Sequence, residues 1–371
     1  MDNASARRSL YMQHVRVILG RIECATSGRY NDEFFHGQGQ VNRLRARLRK
    51  LEASFVSEMQ NLSEVKDTEL DYSSRVPKVG ELVEFNSGGV WKFDHVSCVN
   101  GSQITTTSYN QWMNRGTWRF QKKLDVDDLK GLITDNRGDE LSIFLSYPTF
   151  SNIVAQRYVS TWKAPMLEMY ESYHIAMEQV VKNAIESTMA PKMIQTHLKS
   201  VVTDVFKCVL TSTTKELDAI IKNESRPYTL NNSLSKTFSE LRIQPFMEAL
   251  ESISGGVDSN QVTIGMIKSL FTKFLCADND EQQAIEMHLA LRAYIDVAKK
   301  RFIDNIPMKL EFALLQPFLK QTSQRFTTTN ASDETLSRLL WDSSADIQKR
   351  ADLEAKLEAL NNAKSEIMNS T

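Results

Sequence analysis

The chain has 371 residues, 41% apolar and 25% charged, with a formal net charge of -1; that is enough apolar side chain for a sizeable core. So even a balance excludes a strong long-range pull toward nucleic acid or toward a cationic partner, and any charged surface must be local. The cysteines Cys24, Cys98, Cys208 and Cys276 form no C-x-x-C and share no metal-ligand spacing with the six histidines, so thiols of a reducing compartment are expected.

Residues 1–30 hold no apolar run of signal-peptide length, and no stretch approaches the roughly 20 apolar residues of a membrane span. A soluble, cytoplasmic protein is expected. From Val41 the apolar residues fall at Val41, Leu44, Leu48, Leu51, Phe55 and Leu62, steps that place them on one helical stripe. The other faces carry Arg43, Arg45, Arg47, Arg49 and Lys50. That strip reads either as a solvated flank or as a contact for phosphates or anionic lipid, at about 1 kcal/mol per cation.

Residues 71–120 change character. "VGELVEF", "GGVWKFDHVSCVNGSQITTT" and "NRGTWRF" mix Gly-Gly, Asn-Gly, β-branched and aromatic residues. Asn100-Gly101 between "VSCV" and "SQITTT" is a hairpin signal, because both residues tolerate positive φ. A small β insert or an irregular excursion is expected.

Helical spacing resumes near Phe150 and continues through Trp162, Met169, Tyr173, Met177 and Ile185, with Pro165 marking a kink or a junction between two helices. A further helix carries Ile194, Leu198, Val201, Val205, Val209, Leu217 and Ile221 and ends at "NESRPYTLNN", where Pro227 forbids continuation. Leu230, Leu234, Phe238 and Leu241 open another, and "SISGGVDSN" reads as a loop. After Asp278 or Asp280 as N-cap, helical periodicity runs from Ile285 through Phe318 with Pro307 and Pro317 inside it. Ser332 is the expected N-cap of the last segment, in which Leu353, Leu357, Leu360 and Ile367 recur at steps of four, three and seven. That spacing predicts a coiled-coil-like helix.

No G-x-x-x-x-G-K-[ST], G-x-S-x-G, H-E-x-x-H or G-x-G-x-x-G occurs. "DLKG" and "DNRG" fit a loose D-x-x-G, but without a phosphate-cradling loop they have nothing to sense. The carboxylates lie on helix flanks, and His174, His197 and His288 lack a ligand partner at i+3 or i+4. No catalytic, cofactor-binding or metal-ligating residue is expected, and no small-molecule substrate.

Several stretches resemble the stalk and GTPase effector region of the dynamin superfamily, most closely its Mx-like and fungal dynamin-like branch. "GRYNDEFF" followed by "RLRARLRKLEASFVSEM" is similar to the segment after the GTPase domain. "RGDELSIFLSYPTFSNIVAQRYVSTWKAPMLEMY" is similar to the family's "GRELPG" segment and the helix after it. "TKELDAIIKNESRPYTLNNSL" resembles the Pro-Tyr-Thr-Leu-Asn corner between two stalk helices. "AYIDVAKKRFIDNIPMKLEF" and "LLWDSSADIQKRADLEAKLEALNNAKSEI" resemble the effector region. The resemblance skips about 68–136, and the Lys-rich lipid-binding loop of some relatives has no counterpart at "SISGGVDSN".

The resemblance implies an all-α fold: an elongated antiparallel helical bundle with a small β-rich or irregular insert. First stalk helices are expected at 1–67, the insert at 68–136, central stalk helices at 137–277 and an effector-like region at 278–371. Full-length members carry a GTPase domain ahead of these segments. The expected role is therefore a non-catalytic module for self-association and for contact with full-length dynamin-like GTPases, with indirect membrane or cytoskeleton association. The alternatives are a fragment of an active dynamin-like GTPase of membrane remodelling, or a peripheral membrane or nucleic-acid binder using Arg43, Arg45, Arg47 and Arg49. In relatives the counterpart of the last helix packs with helices flanking the GTPase domain. Leu353, Leu357, Leu360 and Ile367 are accordingly expected to take a partner in trans. Proline in a helix interior costs roughly 3 kcal/mol, tolerable at Pro307 if flanking side chains such as Phe302, Ile306 and Leu310 each recover roughly 1.5 to 3 kcal/mol by burial.

Overall fold

The computed structural model describes residues 4–62, 76–88, 90–114, 116–120, 124–136, 145–254, 264–265, 268–269, 279–328, 333–340 and 344–369. Helices dominate, with one small sheet. The elements in chain order are α1 (Ala4–Ser27), α2 (Leu44–Asn61), β1 (Leu82–Ser87), β2 (Val90–Asn100), β3 (Gln103–Thr106), β4 (Trp118–Phe120), α3 (Val126–Asp135), α4 (Tyr147–Ile153) and α5 (Lys163–Glu186). They continue as α6 (Lys192–Glu224), α7 (Ser233–Ser254), α8 (Asn279–Leu310), α9 (Gln316–Thr328), α10 (Asp333–Leu339) and α11 (Ser344–Asn369). No helix among the described residues is long and apolar enough to cross a membrane. The expected N-caps Asp278 and Ser332, and most of "SISGGVDSN", lie outside the described residues.

The chain divides into two compact units. One comprises residues 1–47, 176–209 and 316–371. Its first helix buries Tyr11, Val15, Ile18 and Ile22, a stripe at steps of four, three and four. Tyr11 Oη donates to the carbonyl of Phe326 at 3.2 Å, and Arg7 Nη1 donates to Ser337 Oγ at 2.9 Å, so α1 lies against α9 and α10. Phe206 stacks on Phe318 with ring centroids 4.2 Å apart, an arrangement worth about 0.5–1.5 kcal/mol beyond the area it buries.

The other unit comprises residues 48–175 and 210–315. Phe302 of α8 is its hub, with centroids 5.0 Å from Trp162 and 6.3 Å from Phe55, while Tyr294 meets Phe150 edge-on at 5.7 Å. The insert is a four-stranded antiparallel sheet in the order β3-β2-β1-β4. Val83, Phe85, Val96, Ile104, Met113 and Trp118 form its core. Strand alternation turns Glu84 to the opposite face, where its buried carboxylate meets Arg157 at 3.2 Å and Arg119 at 2.5 Å. His95 Nε2 bonds Ser160 O at 3.0 Å. The sheet is thereby fastened to the helical stretch at 157–160.

The hairpin forms where Asn-Gly announced it, but shifted by one residue. Asn100 pairs with Gln103, so the turn residues are Gly101 and Ser102, and only Gly101 has positive φ, +58°. A positive φ at the first turn position is the demand of a type II′ turn. The 68–136 stretch also ends in a helix, α3, whose capping box joins Asp125 and Asp128: Asp125 accepts from the N–H of Asp128 at 2.8 Å. "DLKG" therefore lies on a helix and not in a loop. Pro165 marks a junction between helical stretches: the 3-10 turn Val159–Trp162 ends just before α5, and Pro165 stands in the first turn of α5, where N–H groups have no helical partner. The irregularity comes earlier, as a π turn at Val154–Tyr158 and a 3-10 turn at Val159–Trp162. Helix α8 runs unbroken through Pro307, and the deviation follows as a π turn at Glu311–Leu315.

Candidate interaction surface

Helix α11 carries Leu353, Leu357 and Leu360 along one line, and they are 58%, 64% and 71% exposed. Every described side chain from Ala351 to Lys364 is exposed. Ile367 continues the spacing on the same helix, and its side chain lies outside the described residues. A helix in water without tertiary packing is marginally stable, since most helical stability in proteins comes from burying an apolar face. This one has such a face, uncovered.

The basic strip is arranged differently from the open flank that spacing suggests. Arg45 Nε donates to the carbonyl of Thr26 at 2.8 Å, and Arg43 Nε to that of Phe35 at 3.0 Å. Arg47 Nη1 donates to Val41 O at 3.0 Å, and burial holds its guanidinium below the ordinary arginine pKa. Thr26 lies in the last turn of α1, whose carbonyls lack helical partners, and a cation there also complements the helix dipole. Arg43 further covers the ring of Tyr30, 5.1 Å being the matching distance of Arg21 over Phe34 and 5.6 Å that of Arg43. Arg49 is exposed and lies 3.6 Å from Glu52, whose carboxylate also accepts from Tyr173 Oη at 2.6 Å. The arginines thus tie backbone together more than they present charge.

The Pro227–Leu230 corner between α6 and α7 is held on several sides. Arg301 grips Glu224 with both ends of its guanidinium, at 2.9 and 2.5 Å, and gives Nη1 to Tyr228 O at 3.1 Å. Tyr228 N–H donates to Tyr294 Oη, and Tyr147 Oη donates to Pro227 O, both at 3.1 Å. The hydrogen bonds to Glu224 raise the Arg301 pKa above its already high value. Tyr228 and Leu230 project from the corner into solvent. Apolar spacing could not reveal this brace, which joins residues far apart in the chain. Among the described residues no group of three His, Cys, Asp or Glu side chains is placed to hold a metal ion.

The family model described as "Dynamin central region" matches residues 92–242, and that described as "Dynamin GTPase effector domain" matches 279–370. The first match begins within β2, so it runs through part of the 68–136 stretch left outside the resemblance above. The second contains α8 through α11. No GTPase-domain model matches the chain. Three proteins of Oncorhynchus mykiss are similar to it. Interferon-induced GTP-binding protein Mx2 is 23% identical over 71% of the chain and 41% of its own length. Mx1 is 24% identical over 65% of the chain and 36% of its own length, and Mx3 24% over 62% and 34%. The chain thus spans less than half the length of each of these relatives. No solved structure matches it. The two family matches, the Mx relatives and the helical architecture agree: the chain belongs to the dynamin superfamily, as a central, stalk-forming region followed by a GTPase effector domain.

Proposed function

We propose that this chain is a non-catalytic stalk and effector module of the cytoplasm that self-associates and contacts dynamin-like GTPases through α11. The observation that carries the reading is the exposed line of Leu353, Leu357 and Leu360 on a helix whose described side chains from Ala351 to Lys364 are all in solvent. An uncovered apolar stripe at near-heptad spacing gains by pairing with another helix. That the similar Mx proteins are described as GTP-binding supports a GTPase as the partner in trans, and membrane or cytoskeleton association is then indirect, through that partner. The division into helices at 1–67, an insert at 68–136, central helices at 137–277 and an effector region at 278–371 is retained as part of this reading.

Light scattering on the chain and on its L353K/L360K variant tests the association. The wild type is expected to exceed monomer mass and the variant to approach it; equal masses would refute the reading. Calorimetric titration with GTP tests the non-catalytic part, with no saturable heat expected and micromolar binding contradicting it. Direct binding of phosphate or lipid by the basic strip is the weaker alternative, because Arg43, Arg45 and Arg47 already serve backbone carbonyls.

A further inference from the structure

Four contacts fasten the β sheet and the residues leading into it to the helical stretch at 157–168; three are polar and the fourth is a close backbone approach. Glu84 meets Arg157 at 3.2 Å, and His95 Nε2 bonds Ser160 O at 3.0 Å. Gly80 lies against Ala164, where a Cβ on the glycine would come within 3.4 Å of the Ala164 Cα. Lys78 Nζ reaches Glu168 at 2.7 Å and Glu58 of α2 at 3.1 Å. Residues 157, 160, 164 and 168 recur at steps of three and four, so the sheet covers one side of that stretch. The apolar side chains of the sheet form a core of their own, on the face opposite Glu84.

We propose that the sheet is a releasable cover, which lifts off the 157–168 face as a folded unit and bares that face while the helices beneath keep their packing. The buried ions of the contact are arranged for both states. Breaking a buried pair from one side is costly because it leaves a charge without a partner. Glu84, however, is shared between Arg157 and Arg119 of β4, so on release it stays paired within its own sheet. Burial lowers the Arg157 pKa, and the charges of Glu84 and then Asp128 oppose that. Asp128 stands on α3, which packs on α8, so it remains with Arg157 when the sheet leaves. Lys78 and Glu168 are already exposed and regain water. Hydrogen bonds of this kind exchange protein for water at small net change, and a polar face between separate cores favours relative motion. Trp162, in the same stretch, packs on Phe302 of α8, a contact in which the sheet has no part. The cover is independent of what α11 binds.

Thiol labelling of the full chain tests the cover. Ala164 is 8% exposed beneath Gly80, so in an A164C variant the new thiol reacts with a maleimide when the sheet lifts. Following the peptide that carries residue 164 separates this signal from the native thiols. Labelling is expected to outrun global unfolding and to be nearly independent of urea below the unfolding transition, because lifting exposes little surface. Adding E84Q should speed it about tenfold and adding H95A about threefold, through anchors remote from residue 164. The amides of the β1–β2 ladder should meanwhile exchange at their original rate, since the lifted sheet stays folded. H95A removes a single side-chain bond and leaves the buried ions in place, so the test stands even if E84Q fails to fold. Labelling that occurs only with global unfolding, or that neither variant moves, overturns the proposal. So does ladder exchange that rises in step with labelling, because the sheet would then unfold rather than lift.

Discussion

Thr213 Oγ1 donates a hydrogen bond of 2.9 Å to the carbonyl oxygen of Ala313, and both residues are buried. Four residues beyond Ala313 stands Pro317, which has no N–H to return to that carbonyl. The hydroxyl of a neighbouring helix thus supplies a donor that the proline withholds, next to the π turn at Glu311–Leu315. The replacement T213V keeps the shape and removes the donor. It should destabilise the chain by about 1–3 kcal/mol, read as a lower urea midpoint. T213S should retain most of the stability, and a T213V midpoint equal to wild type would show that the carbonyl is satisfied without Thr213.

The brace at the corner gives a second expectation. Removing Arg301 leaves the buried carboxylate of Glu224 without its cation, a change that costs about 3–5 kcal/mol when the pair is fully buried and less here, where Arg301 is partly exposed. R301A should therefore lose about 2 kcal/mol or more. R301K, which keeps the charge but not the planar fork, should fall between R301A and wild type. Equal stability of R301A and wild type in chemical denaturation would show the corner to be held by the two tyrosine bonds alone.

Acid should weaken the sheet through Asp94. Its burial raises the carboxyl pKa, but the Ser108 hydroxyl and N–H, at 2.6 and 2.5 Å, and the His95 N–H at 2.8 Å outweigh that and hold it below the ordinary 3.8. A depressed folded-state pKa contributes stability that is present above the unfolded value and is lost as pH falls through the folded value. The thermal midpoint of wild type should exceed that of D94N at pH 6, and the difference should shrink below pH about 4. A difference independent of pH would assign Asp94 a packing role only.

The arginines of α2 should separate by what they touch. R45A loses a bond to a helix-terminal carbonyl and should cost about 1 kcal/mol. R49A loses an exposed ion pair and should stay within about 0.5 kcal/mol of wild type. The reverse order in unfolding midpoints would return the basic strip to the role of a free charged face.

Apolar spacing located α2, α6 and α8, because each has a core partner and core-facing residues recur at three and four. The same signal was present for α1 in Tyr11, Val15, Ile18 and Ile22, where helices were expected from the resemblance alone, and for α3 in Leu129 and Ile133, within the stretch expected to be a β-rich or irregular insert. In α3 the cap is an Asp-to-Asp box, a weaker cue than Ser or Thr followed by Glu. Proline was read as a kink or a helix junction at Pro165 and as a tolerated break at Pro307. A junction does stand at Pro165, a first-turn proline that withholds nothing, whereas the helix continues through Pro307, where an interior proline can be compensated by packing. What charge does at Arg43, Arg45 and Arg47 depends on carbonyls 6 to 19 residues away in sequence, and no local pattern carries that. The leucine line of α11 was legible for the opposite reason: nothing in the described chain covers it, so its spacing is all there is to read.

Hydrogen exchange of the α11 amides across a dilution series tests the central claim most directly. If α11 is an association surface, amides from Ala351 to Lys364 are protected at high protein concentration and exchange freely on dilution. Exchange in that segment that is the same at every concentration would contradict the account.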